Sequence, residues 1–427
     1  MQSTINNISE TQTKLTITAD ASDLTTIKQT VLKKLAPSIK MAGFRDGNVP
    51  PALAEKQLGN QLQGEVLEES INQFYRDAVL RDNIRVVSQP KVEIIKYVPY
   101  STLEFSAEVE VIAKIKLPDY KNLSVKKADV KITASDVKEI LDRLLKQSAE
   151  YVQVKRAAKD GDRVIMNFEG TDDKGEAVKG AKGTDFPLSI GSKTFIPGFE
   201  ENLIGLKEND EKTFVITFPK DYHLKALQSK KVTFKVNVNK VEETKLATLD
   251  DAFAAKVGPF KNLDELKEDI KKQLKIERDN QAEREYEDNI IKSVLAKTKV
   301  ILPESLLDEQ MEAVDKEFKQ NLTYRGESFT DYLENNMLTE EDYRSKELKP
   351  VAEERLKAGL VLSEIANVEN IVVSQEEIDI RIMVMKKQYS DVEMQKELDK
   401  PDAKRDIGSR LLTEKTIAKL VSYNSSK

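Results

Sequence analysis

The spacing of apolar and polar residues changes along the chain, and the changes divide it into four parts. Residues 13–19 alternate, with Leu15 and Ile17 on one side, and this predicts a strand. Leu24, Ile27, Val31 and Leu35 follow at helical spacing, and Pro37 ends or kinks that helix. After a glycine-rich loop, Leu58, Leu62, Val66, Ile71, Phe74 and Ala78 form a long helical stripe that Gly59 or Gly64 can break. Alternation returns from Val92 to Val98, and again through Leu103, Phe105, Ala107, Val109 and Val111. Residues 1–112 are therefore expected to form an α+β domain, with the loop at the apex of its helices.

Residues 113–150 predict a connector. Thr133 and Asp136 have capping-box spacing, and Val137, Ile140, Leu141, Leu144 and Leu145 then repeat as a stripe that must pack on something. From 151 to 243 glycines multiply and short alternating runs dominate: Val164/Met166/Phe168, Phe214/Ile216/Phe218 and Val232/Phe234/Val236/Val238. This is the pattern of a small antiparallel β domain, with one short helix candidate near 198–205. From 244 onward the chain reads as helical and charged. Stripes run through 263–274 and 286–294, Pro303 opens another helix, and further helices are expected at 340–368, 375–389 and 403–421. Narrow stripes in so charged a segment predict an extended helical domain with arms.

Composition narrows the chemistry. With 39% hydrophobic and 33% charged residues over 427 positions, the chain is expected to be soluble and multidomain. Its net charge of −6 argues against general nucleic-acid binding, so any RNA contact must be local. The absence of cysteine excludes disulfides and thiolate chemistry, and the single histidine, His223, lacks partners for a metal site. It is at most a pocket-rim residue. Met1-Gln2-Ser3-Thr4-Ile5 does not read as a secretory signal and no apolar run is long enough for a membrane span, so a cytoplasmic location is expected. The acid pairs Glu340-Glu341 and Glu353-Glu354 read as solvated helix charges, and Met311, Met337, Met383, Met385 and Met394 mostly as core residues of helix pairs.

The loop Gly43-Phe44-Arg45-Asp46-Gly47-Asn48-Val49-Pro50 carries an aromatic beside a planar cation on a turn freed by two glycines, the composition of a docking tip. Local physics leaves open whether Phe44 is exposed or folds back into its own core. The loop resembles the G-F-R-x-G-x-x-P signature of trigger factor, the bacterial ribosome-associated chaperone. The resemblance continues through Ile196-Pro197-Gly198-Phe199-Glu200, Phe218-Pro219 and Tyr222-His223, in the same segment order.

That resemblance implies a multidomain α+β protein. Residues 1–112 would dock on the large ribosomal subunit near the exit tunnel, through Gly43, Phe44, Arg45, Asp46 and Gly47. Residues 113–150 would run as a connector along the C-terminal domain, and 244–427 would be the helical chaperone domain for nascent and unfolded polypeptides. Residues 151–243 would be a prolyl isomerase domain of FK506-binding-protein type. Its pocket would comprise Phe168, Phe186, Ile196, Phe199, Tyr222 and Phe234, with no metal or other cofactor. A second copy of the chain is a further expected partner off the ribosome.

Three departures from the family pattern matter. Asp46 and Asn48 make the tip less basic than its relatives; Val178 and Lys179 stand where an aromatic and an acid are common; Asn167 replaces an aspartate. Ribosome binding and isomerase activity are therefore both expected to be present but reduced. Two other readings are a dedicated prolyl isomerase with substrate-delivery domains, and a chaperone working in export off the ribosome.

Overall fold

The computed structural model describes residues 1–36, 44, 50–222, 224–388 and 391–425, apart from the side chains of Pro51, Lys179 and Ala226. In chain order its elements begin with strands β1 (Gln2–Asn7) and β2 (Gln12–Ala19), helices α1 (Ala21–Leu35) and α2 (Pro51–Arg81), and strands β3 (Lys91–Val98) and β4 (Thr102–Glu110). Helix α3 (Ala134–Gln147) leads to strands β5 (Glu150–Gln153), β6 (Arg163–Thr171), β7 (Ala177–Ser189), β8 (Glu211–Thr217) and β9 (Lys231–Lys245). The helices that follow are α4 (Asp251–Val257), α5 (Leu263–Lys297), α6 (Glu304–Tyr324), α7 (Phe329–Asn336), α8 (Glu340–Asp342), α9 (Lys349–Val368), α10 (Gln375–Lys386), α11 (Val392–Glu397) and α12 (Pro401–Asn424). They group into two compact units, one of Met1–Val125, Asn289–Gln320 and Arg344–Lys427, the other of Lys126–Asp288 and Asn321–Tyr343.

In the first unit the strands form an antiparallel sheet in the order β1-β2-β4-β3. Its register sets Leu15 opposite Ala107 and Ile17 opposite Phe105, so alternation sends Leu15, Ile17, Leu103, Phe105 and Ala107 to one face. That face is buried with Leu24, Ile27 and Val31 of α1 and with Leu62, Val66, Phe74 and Ala78 of α2. Asp20 caps α1 in a reciprocal box with Asp23. The helix ends at Leu35; Pro37 lies outside the described residues. Of the two glycines that could break α2, Gly59 does so, at φ 46° and ψ −119°. Strand β1 escaped the pattern because Gln-Ser-Thr-Ile-Asn-Asn has one apolar residue and no alternation; pairing with β2 makes it a strand.

Residues after β4 are held to the end of α9 and to α12. The Tyr120 hydroxyl donates to Glu369 Oε1 at 2.5 Å, Tyr423 donates to Glu369 Oε2 at 2.6 Å, and Lys121 Nζ pairs with Glu369 at 2.8 Å. Buried Asn424 accepts from the Leu123 amide at 2.8 Å and donates to the Tyr120 carbonyl at 3.2 Å. Lys121, then the two phenols, hold the Glu369 carboxyl down to about 2, while burial and that carboxylate push Tyr120 up to about 12.

In the second unit the expected capping box forms at α3 between Thr133 and Asp136. Asp136 also receives Arg278 Nη2 of α5 at 2.6 Å, and the Arg278 and Thr133 bonds hold its carboxyl well below the usual range. The α3 stripe finds its partner in Phe253, Ala254, Leu266 and Ile270, which cluster with Leu141. The β sheet runs β5-β9-β6-β7, with β8 also on β9. Where a helix was expected near 198–205 there is only a 3-10 turn, Glu200–Leu203; a second, Lys225–Leu227, was not anticipated.

Among the later helices, α5 runs without a break through both the 263–274 and the 286–294 stripes, and 340–368 is α8, a π turn at Tyr343–Leu348 and α9. Helices α7 and α11, of 8 and 6 residues, are too short to show a period in sequence. The methionines differ from expectation. Met311 is buried, but Met337, Met383 and Met394 are exposed.

Candidate functional site

The β domain owes its interior to a chain of aromatic contacts. Phe168 of β6 meets Phe186 of β7 edge to face at 5.8 Å, Phe195 at 5.5 Å and Phe199 at 6.1 Å. Phe199, fully buried, in turn touches Phe214 and Phe234, each at 5.2 Å. Phe218 and Tyr222 form a further edge-to-face pair at 4.8 Å. Such pairs add to simple area burial, so the rings hold one another's orientation.

One side of this cluster opens as a cleft of about 460 Å³, lined by Phe168, Phe234, Phe218, Tyr222, Phe195 and Ile196, with Thr194, Pro197, Leu224 and Leu227 also on its wall. Its floor is aromatic: Phe168, Phe218 and Phe234 are buried. Burial also pushes the Tyr222 phenol up. No described group of three or more histidine, aspartate or glutamate side chains could hold a metal ion. What the cleft offers chemically is a largely aromatic and aliphatic wall with the hydroxyl-bearing Thr194 and Tyr222 on it.

Backbone detail sets the wall. The turn at Pro197-Gly198 needs φ +91° at Gly198, a conformation that suits glycine. At Gly183 of β7 an added Cβ would lie 2.5 Å from Phe168 Cε1, so only glycine lets that ring lie flat against the strand. Asn167, beside Phe168, accepts from the Asp185 amide at 2.8 Å and exchanges amide hydrogen bonds with Asn239 at 3.1 and 3.2 Å. Asn167 and Asn239 thus form a neutral pair that fixes the strand just before Phe186.

Of the six pocket residues expected from sequence, Phe168, Ile196, Tyr222 and Phe234 line the cleft. Phe199 lies beneath it in the core, and Phe186 stands at its edge, 39% exposed, against Phe168 and Phe195. Val178 packs against the hydrophobic core, and the cleft is lined nearby by the small Gly180 and Ala181. The Lys179 side chain and His223 lie outside the described residues. Sequence reasoning missed Phe195, although it immediately precedes Ile196 in the recognised motif, and Phe218, although it stands in the recognised Phe218-Pro219 pair. It also missed Leu224 and Leu227, which carry no motif at all.

Of the loop expected to dock, Phe44, which is 41% exposed, and Pro50, which caps α2, are described. The expected docking residues Gly43, Arg45, Asp46 and Gly47 lie outside the described residues.

Models of known families match the chain in three places. Bacterial trigger factor protein matches residues 1–144, FKBP-type peptidyl-prolyl cis-trans isomerase residues 154–239, and the trigger factor C-terminus residues 262–422. A trigger factor of Caldicellulosiruptor bescii is 34% identical over 84% of this chain and 81% of its own length. One of Bacillus cytotoxicus is 34% identical over 88% of each chain. The chain belongs to the trigger factor family. A solved structure, described as concerning promiscuous substrate recognition by the trigger factor chaperone, covers 98% of this chain and 99% of its own, with 20% identity and a TM-score of 0.49, too slight a likeness to argue from.

Membership makes the protein a ribosome-associated chaperone with an FKBP-type domain, and the aromatic cleft lies within that domain. No described helix is long and apolar enough to cross a membrane.

Proposed function

We propose that this trigger factor receives nascent chains at the ribosomal exit and that its cleft catalyses cis–trans isomerisation of their X–Pro bonds. The observation that carries the second part is the aromatic cleft of Phe168, Phe195, Ile196, Phe218, Tyr222 and Phe234. Rotation about the X–Pro amide faces a barrier of ~20 kcal/mol. The half-rotated amide loses resonance and polarity, so a site that excludes water favours it over the planar ground state. No proton transfer or metal is required. Activity is expected to be reduced, because Val178 packs on the core rather than walling the cleft with an aromatic ring. The assay is isomerisation of an X–Pro tetrapeptide by the full chain. An accelerated rate that falls at least ten-fold in Phe168→Ala supports the proposal, and a wild-type rate equal to the spontaneous one refutes it.

We assign 1–112 to ribosome docking, 113–150 to the connector, 151–243 to the isomerase and 244–427 to client binding, in a cytoplasmic protein. Exposed Phe44 supports docking through the tip Gly43–Gly47, and replacing Phe44, Arg45 and Asp46 by alanine should abolish co-sedimentation with ribosomes. Client binding is supported by Ile380, Met383, Val384, Val392 and Met394, exposed among charges on α10 and α11. A second copy of the chain can cover the same apolar residues off the ribosome.

A further inference from the structure

The cleft wall at Thr194, Phe195 and Ile196 is the end of a loop that begins at Gly191 and belongs to no strand or helix. This six-residue loop packs on the aromatic core through Phe195 and Ile196 at its end, while its start must be specified by its backbone. Gly191 sits at φ +89° and Lys193 at φ +58°, the latter a conformation that costs a residue with a Cβ about 1–2 kcal/mol. Something must hold the loop in this form.

The holder is Glu200, only 7% exposed, at the start of the 3-10 turn that follows buried Phe199. Its Oε2 accepts from the amides of Gly191 at 2.7 Å and Lys193 at 3.2 Å. Its Oε1 accepts from the Ser192 hydroxyl at 3.0 Å and from the amides of Thr194 at 3.1 Å and Phe195 at 3.4 Å. Among the described residues no lysine or arginine side chain pairs with it, so the loop itself solvates the charge. Asp160 lies against Gly191 from a neighbouring turn and adds a second acid to the surroundings, not a counter-ion. Burial pushes the Glu200 carboxyl up, but the five donors outweigh it and hold it below the usual value.

We infer that Glu200 is a positioning residue of the isomerase: through hydrogen bonds to residues 191–195 it fixes the wall formed by Thr194, Phe195 and Ile196. It does not enter the cleft and touches no substrate. Loosening the wall by an ångström is enough to degrade catalysis by one to two orders of magnitude. The inference rests on the isomerase reading given above.

Two measurements on the full chain test it. In wild type, the amide resonances of Gly191, Lys193, Thr194 and Phe195 should shift together with pH at one midpoint below the ordinary glutamate value of 4.5. Independent titration, or none, overturns the inference. Glu200→Gln keeps shape and one acceptor but turns an NH₂ group toward donors that had an oxygen. It should lower kcat/KM about 10- to 100-fold, mostly through KM, as expected for a displaced wall. Glu200→Asp, which retains the charge on a shorter arm, should recover part of the loss.

A folded Glu200→Gln protein with unchanged KM and kcat overturns the inference. Should that variant fail to fold, the wild-type amide titration decides. Should wild type not accelerate isomerisation, the activity reading falls, and the affinity of a proline peptide for wild type against Glu200→Gln then decides the inference.

Discussion

Replacing Gly183 by alanine probes the aromatic cleft at its most constrained point. The new Cβ would lie 2.5 Å from Phe168 Cε1, 2.9 Å from Cζ and 3.2 Å from Cδ1. Carbon atoms pack comfortably at about 3.5–4.0 Å, so the ring must move by about an ångström. It is hemmed in by Phe186, Phe195 and Phe199 at centroid distances of 5.8, 5.5 and 6.1 Å, which leaves the cleft as its way out. Gly183 does not sit in the left-handed region, so the effect is steric alone.

Overpacking of this kind costs about 1–3 kcal/mol, which raises local opening of β6 and β7 about 5- to 150-fold. Amide hydrogen exchange followed by mass spectrometry reads that change strand by strand, which suits a multidomain chain whose global unfolding is not two-state. Isomerisation of an X–Pro peptide should slow in parallel, on the order of ten-fold or more. Gly64→Ala is the control: it sits in a helix with open space around it and should stabilise α2 by about 0.5–1 kcal/mol. If Gly183→Ala leaves both exchange and rate unchanged, Phe168 is not locked as described and the reasoning fails.

Two further predictions concern charge. Because Glu369 is held at about 2 against an ordinary 4.5, its network stabilises the fold above about pH 4.5 and loses that contribution as pH falls toward 2. Glu369→Gln should cost about 1–3 kcal/mol at neutral pH and flatten that acid dependence, as read by exchange of the Leu123 amide. At the proposed docking tip, Asp46→Lys should raise ribosome affinity at low salt and make it more salt-dependent; unchanged low-salt affinity would show that the tip charge plays no part.

The sequence was most informative where one face of an element is buried and its period is therefore enforced. The strand at Leu15 and Ile17, the α2 stripe and the Thr133–Asp136 cap could all be read before folding, because each encodes a local rule. Strand β1 could not, since its conformation is imposed by the ladder with β2 rather than by its own residues. The cleft was half legible. The expected residues Phe168, Ile196, Tyr222 and Phe234 line it, while Phe199 belongs to the layer beneath because its position in the turn points it inward. Leu224 and Leu227 reach the cleft through a turn that no periodicity announces. The exposed methionines were misjudged for a related reason. Helical spacing marks a stripe but does not say whether a partner covers it, and Met337, Met383 and Met394 are left uncovered at 49–67% exposure.

The FKBP-type domain is joined to the chain in a way that permits one decisive test. Strand β5 pairs with the end of β9, setting Glu150 opposite Lys245 and Tyr151 opposite Thr244, so the two ends of the insert lie side by side. Residues 151–243 can therefore be excised and the ends rejoined with little strain. The measurement is refolding of a client whose slow step is X–Pro isomerisation, which takes tens of seconds unaided, with aggregation followed in the same experiment. The full chain is predicted to accelerate the slow phase and suppress aggregation. The excised chain should suppress aggregation without accelerating it. Acceleration by the excised chain, or none by the full chain, would contradict the assignment of isomerisation to the cleft.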